Sequence, residues 1–115
     1  MGHFSIPATL TGPTGRSVTL NLLVDTGATF LIVSRALAEQ LDLAVLRTQT
    51  VETAGGRRED WPMAGITVQV DDRVAPTVCL IAPEGPALLG AVALESLLLA
   101  VDPVRRRLIP VNALA

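Results

Sequence analysis

The chain has 115 residues, half of them hydrophobic and 17% charged, which is enough for one domain over 1–115 and leaves an apolar surplus that suggests a buried subunit surface. A net charge of -2, with all nine basic residues Arg, gives no nucleic-acid footprint, and the single Cys79 excludes an internal disulfide and offers no metal cluster. The longest apolar run, Ala87 to Val101, is interrupted by Glu95 and is too short for a membrane span.

The first residues, Met1 to Pro7, carry neither a basic region nor a long apolar core. No secretory signal is expected, and a cytoplasmic location follows as the default. His3 to Thr9 reads as a first strand, and Thr11 to Gly15 supplies a turn rich in breakers. His3, the only histidine, has no Asp or Ser partner motif nearby and reads as structural or disordered.

Ser17 to Asp25 alternates through Val18, Leu20, Leu22 and Val24 and becomes continuously apolar at Leu22 to Val24. That pattern predicts a strand that starts half exposed and ends buried, with Asp25 at its carboxyl end. An ionised carboxylate in that position loses hydration unless hydrogen bonds or a shared proton compensate. Thr26 and Gly27 offer compensation: the hydroxyl can donate and accept in a buried network, and Gly27 can turn without a Cβ penalty and bring its amide to the acid. The bland reading is a solvated strand-to-turn junction, because Asp, Thr and Gly are ordinary turn residues.

Phe30 to Val33 is a further buried strand, and Ser34 is placed to cap a short helix over Arg35 to Leu41. Leu43 to Thr53 and Trp61 to Val70 read as the arms of a long hairpin whose polar tip is Ala54 to Asp60. Trp61, at the hairpin's return, is expected to pack within it. Asp71-Asp72 signals a turn into a strand over Val74 to Ala82, where Cys79 behaves as a small hydrophobe. Ala87 to Gly90 is a short apolar run closed by a glycine, and Ala91 to Leu99 has good helix formers. Val101 to Val111 closes as two short strands about an Asp-Pro turn, with Arg105, Arg106 and Arg107 at a solvated end and Asp102 within reach of an arginine. The sum is a mostly β chain with two short helices.

The strand-acid run Leu23-Val24-Asp25-Thr26-Gly27-Ala28-Thr29, the Gly-tipped hairpin at Gly55 and Gly56, and Leu88-Leu89-Gly90 before a helix fall in one order along almost the whole chain. In that order and spacing the chain resembles the retropepsin-like aspartic proteases, the family of the retroviral protease and its bacterial relatives. The tripeptide is a weak signal alone and a fairly strong one with the second motif about sixty residues later.

The resemblance implies a retropepsin-like closed β-barrel with one or two short helices and one lobe per chain. It implies that Asp25 is the catalytic acid, that Thr26, with Gly27 and Ala28, forms the loop that locks two acid loops together, and that Gly27 touches substrate. It also implies that Ala54, Gly55, Gly56 and Arg57 form a flap over the substrate, and that Leu88, Leu89 and Gly90 form the second motif beside the acid loop. Where retroviral members often pair an acid with an Arg, this chain has Thr29 and Ala91, so its loops are expected to be joined by other contacts.

Amide cleavage without metal, thiol or a Ser/His pair needs a general base for water and a general acid for the leaving nitrogen. Two carboxylates sharing a proton supply both, and this chain has one such acid. The expected enzyme is therefore a homodimeric aspartic endopeptidase in which a water between two Asp25 side chains attacks a peptide or protein substrate, with no metal and no cofactor. The other class left open is a peptide-binding or dimerisation module with the same fold and little or no turnover.

Overall fold

A computed structural model describes residues 3–115. The elements are β1 (Phe4–Thr11), β2 (Ser17–Val24), β3 (Leu31–Ser34), α1 (Arg35–Gln40), β4 (Val45–Glu52), β5 (Arg58–Val70), β6 (Arg73–Ala82), β7 (Leu88–Leu89), α2 (Ala91–Leu97), β8 (Leu99–Asp102) and β9 (Arg107–Pro110). The main sheet runs β1-β2-β7-β3-β6-β5-β4, and β1 also pairs with β5 through Thr9↔Gln69, Leu10↔Val68 and Thr11↔Thr67. The pairings therefore form a ring, with β4 outside it and bonded only to β5. That ring is the mostly β barrel expected from the sequence. The hairpin β8–β9 forms a separate two-stranded sheet. No helix among the described residues is long and apolar enough to cross a membrane.

The core is aliphatic: Leu10, Leu22, Leu31, Leu41, Leu89, Val33, Val68 and Cys79 are fully buried. They come from the inward faces of the strands and the end of α1, so the alternation in β1, β2 and β3 maps onto one interior. The Ser34 side chain accepts from the Leu37 amide at 3.1 Å and starts α1, a cap worth about 1 kcal/mol. Leu41 ends that helix in the core.

Several boundaries differ from the sequence reading. β1 runs on to Thr11, because its side chains stay in register with β2 until Gly12 turns the chain with its amide on Arg16 O at 2.9 Å. The hairpin tip is Thr53 to Arg57, and Arg58, Glu59 and Asp60 already pair with β4 as Glu52↔Arg58, Val51↔Glu59 and Thr50↔Asp60. α2 stops at Leu97, two residues before the expected end. Leu98 takes a left-handed conformation (φ 54°, ψ 49°), and the Arg73 guanidinium caps the end by donating to Leu97 O at 3.0 Å and Leu98 O at 3.1 Å. The turn frees Leu99 to enter the core as the first residue of β8.

Candidate active site

Asp25 follows the last residue of β2. Its backbone amide donates to Leu89 O at 3.0 Å, which extends the parallel β2–β7 pairing by one step and fixes where the carboxylate leaves the sheet. The Gly27 amide donates to Asp25 Oδ1 at 2.9 Å. Proximity, rather than a positive φ, is what calls for glycine there: a Cβ at Gly27 would lie 3.1 Å from Asp25 Oδ1. The loop closes with Ala28 N on Asp25 O at 3.1 Å.

Leu88, Leu89 and Gly90 lie directly against this loop. The first α2 amides have no partner within their own helix. Here Ala91 N donates to Ala28 O and Val92 N to Thr29 O, both at 2.9 Å. The acid loop and the helix entry are thus joined by backbone bonds at the two positions, Thr29 and Ala91, where an ion pair is absent. Gly90 is buried at the crossing.

The exposures below are those of the single chain. Asp25 is only partly desolvated, with 27% of its side chain exposed, and Thr26 is exposed and not in a buried network. Thr26 and Gly27 are both exposed in the single chain. The tip residues Ala54, Gly55, Gly56 and Arg57 are exposed, and their hydrogen bonds stay inside the hairpin: Gly56 N to Thr53 O at 2.9 Å and Thr53 N to Arg57 O at 2.8 Å. Gly56 has φ 82°, which a side chain would strain. Arg57 pairs with Glu59 at 3.1 Å, so the charged tip is largely neutralised from within. Trp61 is half-buried in the hairpin and donates to Glu59 Oε1 at 3.0 Å.

Two features of the site went unread in the sequence. His3 is not isolated: its Nε2 lies 3.6 Å from Asp25 Oδ1, with 49% of the His3 side chain exposed. The signal was the strand register, since the pairs Phe4↔Val24 to Thr11↔Ser17 place residue 3 opposite residue 25. The second feature is a platform. Leu88 pairs with Leu23 on one side and Ile32 on the other, so these three half-buried side chains share one sheet face, opposite the buried Val24, Leu89, Leu31 and Val33. They give the surface beside the acid an apolar floor.

Among the described residues no group of three or more His, Cys, Asp or Glu could hold a metal ion. Cys79 is fully buried in β6, and burial pushes its thiol up to about 12, against a smaller downward pull from a backbone hydrogen bond to Ala64. A raised folded value means the thiol's contribution to stability is complete below the unfolded value of 9.0 and is lost as pH climbs towards 12. Native protein at pH 8 is therefore expected to resist a thiol-reactive dye. Denaturant melts above pH 9 should lose stability more steeply than those of Cys79→Ala; equal slopes would contradict this.

The sequence profile of the aspartyl protease family matches residues 6–97. No curated protein matches the chain. Among solved structures, the EIAV protease bound to the inhibitor HBY-793 is similar at 21% identity and TM-score 0.65, covering 82% of this chain and 86% of that one. The simian foamy virus (mac) protease in solution is similar at 23% identity and TM-score 0.60, covering 80% of this chain and 92% of that one. These likenesses are of fold, while the profile spans the acid loop, the β4–β5 hairpin and the second glycine motif together. The chain belongs to the aspartyl protease family, with the retropepsin-like fold.

Proposed function

We propose that this chain is an aspartic endopeptidase that works as a homodimer, with Asp25 as its catalytic acid. The observation that carries the reading is the half-finished state of the site. Asp25 is oriented by Gly27 N and by the Leu89 carbonyl, and its loop is tied to α2, yet its outer side is open and the same lobe holds no second Asp-Thr-Gly loop. A two-fold axis beside Asp25 would supply a second acid in an isologous interface.

Two carboxylates about 3 Å apart cannot both ionise, so the pair holds one shared proton and can act as base and acid in one step. One carboxylate takes a proton from the water between them as the water adds to the peptide carbonyl. The protonated partner hydrogen-bonds the developing oxyanion. The proton gained from water then goes to the leaving nitrogen as the C–N bond breaks, and carboxylates and water alone close the cycle. Thr26, exposed in the single chain, would be buried between the two acid loops.

The substrate in this reading is an extended peptide whose apolar side chains rest on Leu23, Ile32 and Leu88. The hairpin tip at Ala54, Gly55, Gly56 and Arg57 would close over it and pair with its backbone. The internal Arg57–Glu59 pair argues against selection by substrate charge at the tip.

The test is sedimentation of the purified chain, followed by incubation with a peptide library over roughly pH 3 to 8, a range that spans carboxyl and imidazole titration. A dimer that cleaves next to apolar residues is expected. A dimer that binds peptides without cutting them would favour the binding module, and a strict monomer at high concentration would remove the dyad.

A further inference from the structure

Apart from the loop that orients it, Asp25 has His3 as its neighbour. The β1–β2 register sets that imidazole opposite the acid, one residue before the first ladder pair, Phe4↔Val24. A second anchor holds the same residue: Arg106 Nη2 donates to His3 O at 2.6 Å. Arg106 is the middle of three arginines at the β8–β9 turn. Its neighbours Arg105 and Arg107 face Asp102 Oδ2 at 3.5 and 4.0 Å, while Arg106, at φ 53°, turns to the N-terminal strand. His3 therefore has a contact at its side chain and a hydrogen bond at its carbonyl, between the acid and the C-terminal hairpin.

That position conflicts with a shared-proton pair. Asp25 Oδ1 already accepts from Gly27 N at 2.9 Å and faces the imidazole at 3.6 Å. A carboxylate from a second copy that arrives at this oxygen has to displace His3. Release is cheap. It breaks one half-exposed side-chain contact and one exposed hydrogen bond, and it leaves the β1–β2 ladder whole.

We propose that His3 and Arg106 form an N-terminal latch that occupies Asp25 in the single chain and must open before two chains can bring their acids together. The proposal rests on the two-chain reading given above. The latch lowers the activity of dilute chains by raising the concentration needed for assembly.

Because the chain has one histidine, the imidazole resonance in an NMR spectrum belongs to His3 without further assignment. At a dilution where the chain is monomeric, Asp25→Asn is expected to move that resonance; an unmoved resonance would overturn the latch. Sedimentation is expected to show His3→Ala dimerising about fivefold more tightly than wild type, with Arg106→Ala in between. His3→Gln serves as the second variant, and both residues are exposed, so folding is expected to persist.

Equal or weaker dimerisation of His3→Ala would overturn the latch while leaving the dyad intact. Tighter dimerisation without cleavage by any variant would support the latch and remove the protease. Monomers in every variant would overturn both.

Discussion

Asp25→Asn is expected to reduce peptide cleavage by about a thousandfold or more while leaving the fold in place. The substitution keeps the shape of the side chain, and the carbonyl oxygen of Asn can still accept from Gly27 N, so the loop bonds to Leu89, Ala28 and Thr29 need not change. What is lost is the ability to take a proton from water and return it to nitrogen. Circular dichroism and the thermal midpoint should match wild type, and cleavage of a fixed peptide should disappear. A mixing experiment sharpens the result. If each active unit draws one acid from each of two chains, an equal amount of Asp25→Asn added to a fixed amount of exchanging wild type leaves about half the activity, with further loss on further addition. A single-chain enzyme would lose none. Cleavage that survives in the pure variant would take Asp25 out of the mechanism.

The acid was legible because its signal is local. An apolar run that ends in Asp-Thr-Gly announces both the strand and the cost of the carboxylate, and the structure puts Asp25 at the end of β2 beside Leu89. The second motif was legible in type, although its consequence was not. Periodicity tells which side chains share a face, but β7 lies between β2 and β3 in space although it begins at Leu88 while β2 ends at Val24 and β3 at Ser34, and no local pattern encodes that crossing. The platform of Leu23, Ile32 and Leu88 depends on it. The end of α2 was misjudged for a related reason: Leu98 is a good helix former, and only the tertiary contact from Arg73 and the burial of Leu99 turn the chain there. His3 was missed although its place was within reach of the sequence. Once the turn at Gly12 to Gly15 sets Thr11 opposite Ser17, counting back along both strands brings His3 to Asp25.

Gly90→Ala is expected to destabilise the chain by about 3 kcal/mol or more and to lower the thermal midpoint by roughly 10 °C or more. Gly90 has extended backbone (φ -94°, ψ -176°), so conformational strain is not the cause. The cause is distance. A Cβ on this residue would sit 2.4 Å from Phe30 O, 2.6 Å from Ala28 O and 2.8 Å from Phe30 C, all backbone atoms with no rotamer to give way. Ala28 O is also the acceptor for Ala91 N, so relief must come from moving the acid loop away from α2 and stretching the bonds that join them. Activity should therefore fall further than stability alone explains, because in the proposed dimer a shift of the loop would displace Asp25 from the second acid, and misplacement by about 1 Å can cost a hundredfold. Gly65→Ala is the control: nothing lies within 4 Å of the added Cβ, and a change within about 0.5 kcal/mol is expected. Equal melts for the two variants would mean that the crossing of the acid loop and Gly90 is looser than these distances require, and the rigid seat of Asp25 would lose its physical basis.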